Sequence, residues 1–160
     1  MKKLVSFLTA TALVVTLMTT SSCTKTCDAG YEGSDCKTQV RTKFVNTYTA
    51  SETKNAGTPY TYPTSITAGT SATDITQVII TKITGQNLGT GGFFTNYVTG
   101  TVSGSTLTIA NQSPDGDGYY ITGSGTITGT TVALTYSISG PNNATPPVTV
   151  TDNYITTLTH

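Results

Sequence analysis

The chain has 160 residues, and its eight basic and eight acidic residues give a formal net charge of zero at neutral pH. This length accommodates one domain with short appendages, and the absence of a basic patch or stripe argues against a nucleic-acid partner. Charged residues make up only 10% of the sequence, well below the ~25% that is usual. Threonine and serine take their place, which is typical of an exported β protein.

Residues 1–22 have the features of an export signal. Lys2 and Lys3 supply a positive start, and residues 4–18 are apolar apart from serine and threonine. As a helix, that apolar stretch would measure roughly 22 Å, short of the ~30 Å hydrocarbon thickness of a bilayer. We therefore expect a signal peptide that is removed, not a permanent span. Its removal takes away both lysines and leaves six basic and eight acidic residues, a net charge of about −2.

Small residues lead from position 19 directly into Cys23. This segment resembles the lipobox of bacterial lipoproteins, in which the cysteine thiol receives a diacylglycerol and becomes the new N-terminus. The resemblance implies acylation (palmitate) at Cys23 and stable anchoring, with about 0.8 kcal/mol for each buried CH₂. We expect a protein anchored by lipid in the outer membrane of the bacterial cell envelope, on either its periplasmic or its surface face. Ordinary signal-peptidase cleavage is the alternative.

Cys27 and Cys36 remain as an even pair if Cys23 carries lipid. In an oxidising compartment we expect them to form a disulfide, which would contribute roughly 2–3 kcal/mol by closing a short loop. The run Cys-Asp-Ala-Gly-Tyr-Glu-Gly-Ser-Asp-Cys resembles the last loop of an EGF-like module over ten residues. We interpret residues 23–43 as a stapled tether that ends in a short turn. A recognition role for the loop is the alternative.

From residue 44 onward, apolar and β-branched residues alternate with threonine and serine between clusters of glycine, proline and asparagine. This period of two predicts strands, with no helix in the domain. Eight strands are predicted, over residues 44–52, 60–67, 76–83, 93–103, 105–111, 119–128, 131–139 and 148–158.

A short internal repeat predicts the register of two hairpins. Residues 100–107 recur as residues 125–132, and Gly104 and Gly129 stand where two-residue turns favour glycine. This places Val102 opposite Leu107 and Ile127 opposite Val132. In the second hairpin, one buried face is then predicted to carry Ile121, Gly123, Gly125, Ile127, Val132, Leu134, Tyr136 and Ile138.

Eight strands with short connections predict an all-β domain, an antiparallel up-and-down meander that closes into a barrel without exposed edges. The order of anchor, spacer and eight-stranded barrel resembles the lipocalin-like (calycin) lipoproteins over most of residues 44–160. Phe44-Val-Asn-Thr-Tyr48 stands where the first lipocalin strand carries Gly-x-Trp. The resemblance implies a barrel that holds a small apolar ligand. A β-sandwich is the alternative fold.

An eight-stranded barrel either is filled by side chains or holds one small ligand. Inward glycines leave volume for a cavity, or they accommodate a bend or a bulky neighbour, and tyrosines offer aromatic walls with hydroxyl groups. One acidic residue, Asp152, shares the phase of Val148 and Val150, so it would point inward unless a bulge intervenes or it lies at the barrel mouth. The candidate ligand-binding residues are Tyr48, Gly123, Gly125, Tyr136, Asp152 and Tyr154.

The sequence offers few residues suited to catalysis or metal binding. The one histidine, His160, is the last residue and is expected to fray, so no Ser–His or Cys–His pair is expected. Asp115 and Asp117 share one turn, which we interpret as a hairpin loop because the regular calcium-loop spacing is missing. We expect no enzyme activity, metal or cofactor. Two functions remain open: binding of a small apolar or amphipathic ligand, or a structural or interaction role in the envelope with a filled barrel.

Overall fold

The computed structural model describes residues 25–71, 73–85, 93–142 and 144–160. The predicted signal peptide and the lipidation site Cys23 lie outside these residues. Within the described ranges, no helix combines the length and the apolar character that crossing a bilayer requires.

The tether contains a small sheet and a short helix. Strands β1 (Tyr31–Glu32) and β2 (Thr38–Gln39) pair antiparallel, and a 3₁₀ helix, η1 (Val40–Lys43), follows directly. The predicted disulfide is confirmed, since Cys27 and Cys36 are bonded with their Cα atoms 5.2 Å apart. The turn predicted ahead of the first long strand is η1. The two-residue strands were not predicted, because they are too short to show a period.

Eight antiparallel strands form a closed barrel in which each strand pairs with its neighbours in sequence and the last pairs with the first. The predicted all-β meander and its closure into a barrel are confirmed, and the sandwich alternative is not adopted. The strands are β3 (Asn46–Lys54), β4 (Tyr60–Ala68), β5 (Gln77–Ile80), β6 (Val98–Ser103), β7 (Thr106–Gln112), β8 (Tyr120–Thr128), β9 (Thr131–Pro141) and β10 (Thr149–Thr159).

The register predicted from the repeat is confirmed. Val102 lies opposite Leu107 in one hairpin, and Ile127 lies opposite Val132 in the other. Two predicted strands are too long, because β5 ends at Ile80 and β6 begins only at Val98. The backbone N–H groups of Thr95 and Asn96 donate to the Asp115 carboxylate at 2.7 and 2.8 Å. Those donors are therefore engaged with a side chain and not with a neighbouring strand.

The inward glycines of β8 allow the backbone of β9 to approach closely. A Cβ atom at Gly123 would lie 2.5 Å from the carbonyl oxygen of Thr135 and 2.5 Å from Cβ of Tyr136, and one at Gly125 would lie 2.8 Å from the carbonyl oxygen of Ala133. These separations are shorter than ordinary van der Waals contact. The space beside these glycines is therefore taken by the neighbouring strand and is not a cavity.

The tether closes one end of the barrel, which we call the proximal end. Val40 and Phe44 are buried there. Lys43 forms an ion pair with Glu32 at 2.5 Å, and its ammonium also reaches the carbonyl oxygen of Gly104 in the β6–β7 turn. The opposite end, which we call the distal mouth, is bordered by residues 55–59, 81–85, 93–97, 113–119, 142 and 144–148.

Candidate functional site

Two connections contact each other at the distal mouth, where one loop holds the other in place. Besides accepting the N–H groups of Thr95 and Asn96, the loop over residues 113–119 accepts a hydrogen bond from the Asn96 side chain at the carbonyl oxygen of Pro114. Asp117 accepts the N–H of Tyr119 at 3.1 Å. The two aspartates therefore organise backbone in this loop region, as expected of a hairpin loop.

Two cavities lie at the distal mouth on either side of Phe93. The first, of about 150 Å³, is lined by Ile80, Thr81, Lys82, Ile83, Phe93, Phe94, Thr95, Asn96 and Val98. The second, of about 220 Å³, is lined by Phe93, Tyr119, Ile138, Gly140, Pro141, Asn142, Val150 and Asp152. Both are smaller than the ~300 Å³ at which ligand pockets usually begin.

Phe93 is held in place by two aromatic neighbours. Its ring meets Phe94 edge-to-face at 5.0 Å and Tyr119 edge-to-face at 5.1 Å between centroids. Tyr119 lies against β9 because Gly140 has no side chain, since a Cβ atom there would lie 2.1 Å from the tyrosine ring. The Tyr119 hydroxyl donates to the carbonyl oxygen of Pro141 at 2.8 Å. The result is a small aromatic wall between the two cavities.

Asp152 supplies the acidic group of the second cavity. Its carboxylate forms an ion pair with Lys54 at 2.7 Å and accepts a hydrogen bond from the Asn55 side chain at 2.7 Å. Partial burial is the largest single influence and acts to raise its pKa, but the hydrogen bonds from Lys54 and Asn55 together with the lysine charge lower the pKa overall. Asp152 therefore carries its charge at neutral pH.

A fully buried carboxylate lies inside the barrel, beneath the rim. Glu52 is 0% exposed, and its Oε2 atom accepts hydrogen bonds from the hydroxyls of Tyr62 and Thr156 at 2.7 Å each. The Tyr136 hydroxyl also donates to Oε2, and the Tyr60 hydroxyl donates to Oε1. These four donors satisfy the carboxylate, as a buried charge requires.

The phenols around Glu52 are held in their neutral, donating form. Burial is the main cause that raises the pKa of Tyr60, Tyr62 and Tyr136, and the negative charge of Glu52 raises each of them further. A neutral phenol can donate to the carboxylate, whereas a phenolate could not. The network is therefore self-consistent as a packed polar core.

The residues predicted to bind a ligand do not form one site. Tyr136 and Tyr154 stack at 4.8 Å between ring centroids inside the barrel. Tyr48 is buried further toward the proximal end, where its hydroxyl donates to the carbonyl oxygen of Phe44 at 2.7 Å. Asp152 lies at the mouth, one of the positions expected for it. Of the six predicted residues, Asp152 is the one that lines a cavity at the distal mouth. Gly123, Tyr136 and Tyr154 line one open concavity of about 500 Å³ across β8–β10.

Sequence reasoning missed both Glu52 and Phe93. Glu52 shares the strand phase of Tyr48 and Ala50, so alternation alone could have placed it inside the barrel. Its partners could not be found this way, because Thr156 and Tyr136 are far away in sequence. Phe93 was predicted to begin the strand over residues 93–103, so its position at the barrel mouth was not recognised.

Neither the histidine nor the acidic residues form a metal site in the described ranges. His160 does not fray as expected, since its Nδ1 lies 2.8 Å from the Asn46 amide nitrogen and its ring meets Tyr48 edge-to-face. Where the structure describes the chain, no three His, Cys, Asp or Glu side chains are grouped to hold a metal ion.

Comparison of the chain with protein-family models, with curated proteins and with solved structures finds no match. The interpretation of function therefore depends on the geometry of the distal mouth and on the sequence features at the N-terminus.

Proposed function

We propose that this protein is a lipid-anchored, non-enzymatic binding protein of the bacterial cell envelope that binds a small ligand at the distal mouth of its barrel. The closed eight-stranded barrel fits a lipocalin-like ligand-binding fold. In this proposal the site lies at the rim of the barrel and not in its centre.

The observation that carries the proposal is the contrast between the middle of the barrel and its distal end. In the middle, Tyr48, Glu52 and Tyr154 are almost completely buried, and a ligand cavity would leave accessible surface on its walls. At the distal end, two cavities lined by both apolar and polar groups flank Phe93. Small-molecule sites combine apolar surface with a few placed polar groups.

The tether favours presentation of this mouth away from the membrane. Only three residues separate Cys23 from the disulfide at Cys27, so lipid at Cys23 would hold the disulfide loop close to the bilayer. That loop packs on the proximal end, where the N–H of Val40 donates to the carbonyl oxygen of Gly30 at 2.9 Å. A Cβ atom at Gly30 would lie 2.8 Å from the Ile75 side chain. The opposite, distal mouth would then face the compartment.

Native mass spectrometry of the protein purified gently from its own host tests the binding role. We expect a discrete additional mass of a few hundred daltons, present under native conditions and absent after denaturation. A native mass equal to that of the chain with its anchor alone would contradict the binding role.

The lipid anchor has a separate test. The mass of the mature N-terminal peptide is expected to show cleavage before Cys23 and a diacylglycerol-modified cysteine. The Cys23→Ser variant is then expected to leave the membrane fraction. An unmodified N-terminus, or membrane association that survives Cys23→Ser, would refute the anchor.

A second candidate is an interaction module with a filled barrel, which binds another envelope protein. The observation that favours it is the set of large apolar side chains exposed near the distal end, namely Tyr97, Tyr120, Val148 and Val150. Scattered exposed apolar residues are common on monomers, so this candidate ranks second. If no ligand mass is found, chemical cross-linking in intact cells is the next experiment.

A further inference from the structure

We propose that Phe93 partitions a single binding pocket, and that a small, mainly apolar molecule carrying one amine or hydroxyl group opens it by displacing the Phe93 ring. This inference rests on the proposed binding function and names the ligand class, the position of the site and the residue that controls its size.

The position of Phe93 suggests a partition, because its side chain borders both cavities. Its two edge-to-face neighbours belong to different cavities. Phe94 lines the first cavity and Tyr119 lines the second. Withdrawal of the Phe93 ring would therefore join two spaces that already adjoin, without movement of a barrel strand.

The size of the two spaces explains why such a movement would matter. At about 150 and 220 Å³, each alone is below the ~300 Å³ typical of ligand pockets, whereas the joined space exceeds that value. The ring of Phe93 is only partly buried against the core, so it can turn toward solvent by giving up its edge-to-face contacts with Phe94 and Tyr119. The unliganded protein then keeps its apolar walls covered.

The lining residues define the ligand class. The first cavity combines apolar side chains from Ile80, Phe94 and Val98 with polar ones from Thr81, Lys82 and Asn96. The second combines Ile138 and Val150 with Asn142 and Asp152. The apolar part of these walls suits an aromatic or aliphatic body.

The polar end of the ligand would meet Asp152. Its two oxygen atoms already bind Lys54 and Asn55, but an ionised carboxylate has about four acceptor positions. It can therefore accept one further hydrogen bond from an amine or a hydroxyl group.

The test uses N-phenyl-1-naphthylamine, a neutral aryl amine whose emission rises in apolar sites. It is titrated into residues 23–160, the expected mature chain, carrying Cys23→Ser. This form has neither the apolar signal segment nor a lipidation site, so it would need no detergent. Val150→Trp fills the second cavity from a position that is 43% exposed. Ile155→Trp is the control on the same strand, since Ile155 is 63% exposed and lines neither of these two cavities. Ile155 lines two open concavities across β8–β10, so this variant also reports binding on that face. Phe93→Ala removes the partition.

We expect saturable binding of one probe molecule, weakened at least about tenfold by Val150→Trp and changed less than about twofold by Ile155→Trp. Phe93→Ala is expected to tighten binding about tenfold, because the ring no longer has to be displaced. Equal affinities in the two tryptophan variants, or no probe binding at all, would overturn the site. A loss with Val150→Trp but no gain with Phe93→Ala would overturn the partition alone and leave the proposed function standing.

Discussion

Replacement of Glu52 by alanine probes the polar network in the barrel most strongly. The substitution removes the acceptor of four hydroxyl groups. Tyr60 is half-buried and can turn to water, but the hydroxyls of Tyr62, Tyr136 and Thr156 would stay in the interior without a partner. A buried donor left unpaired costs about 1–3 kcal/mol. Because removal of a buried charge returns part of its desolvation cost, we expect a loss of about 3–5 kcal/mol in the free energy of unfolding.

Glu52→Gln separates the loss of charge from the loss of the acceptor. The carbonyl oxygen of glutamine can take the place of Oε2 and keep the three buried donors. Its amide nitrogen would then face Tyr60, whose hydroxyl can accept as well as donate. Only the additional strength of hydrogen bonds to a charged group is lost. We therefore expect Glu52→Gln to cost about 1–2 kcal/mol, clearly less than Glu52→Ala.

Urea unfolding of the purified protein, with the slope compared between variants, measures both free energies. Glu32→Gln is the matched control, because Glu32 and Glu52 are the two glutamates of the chain. Glu32 forms a partly exposed ion pair with Lys43, so its loss is expected to cost less than about 1 kcal/mol. Equal costs for Glu52→Ala and Glu52→Gln, or a cost of Glu52→Ala below about 1.5 kcal/mol, would refute the role assigned to the four donors.

Three further outcomes follow from the same contacts. Burial raises the pKa of phenols such as Tyr136, so above about pH 10 these phenols ionise in the unfolded chain and not in the folded one. The free energy of unfolding should therefore fall as the pH rises above about 10, and it should fall less steeply in Tyr136→Phe. Circular dichroism at increasing pH measures this, and an unchanged slope in Tyr136→Phe would count against the buried donor. Gly123→Ala should lower the free energy of unfolding by about 1–3 kcal/mol, because its Cβ would lie 2.5 Å from Cβ of Tyr136. The control Ser124→Ala, at the neighbouring outward-facing position, should change the midpoint of thermal unfolding little. Similar midpoints for the two variants would contradict the packing. Because the carboxyl pKa of Asp152 is lowered, its charge stabilises the folded protein at neutral pH and no longer does so below about pH 4. Asp152→Asn should therefore be less stable than the parent protein to urea at neutral pH and equally stable in acid. A difference that persists in acid would rule out the ion pair with Lys54 as its cause.

The barrel could be predicted in detail because its information is local. Alternation defines a strand face, and Gly104 and Gly129 define two turns, so the pairing of Val102 with Leu107 follows from neighbouring residues alone. The Cys27–Cys36 bridge was also predictable, because the expected lipidation of Cys23 left only these two cysteines to pair. The strand bounds were wrong where a side chain, and not a neighbouring strand, accepts a backbone N–H, as the Asp115 carboxylate does from Thr95.

The candidate site was less predictable for a different physical reason. Its geometry depends on contacts between distant parts of the chain, such as Phe93 with Tyr119 and Lys54 with Asp152. No local pattern encodes these pairs. The inward glycines indicated spare volume, but whether that volume is filled depends on how closely the backbone of β9 approaches β8, which a sequence does not specify.

Native mass spectrometry of the Val150→Trp and Ile155→Trp variants, expressed in the natural host and purified side by side, tests binding at the distal mouth most directly. We expect the Ile155→Trp protein to carry an additional mass that is released on denaturation, and the Val150→Trp protein to carry none. The same additional mass on both variants would show that the ligand binds elsewhere. Its absence from both would contradict small-ligand binding altogether.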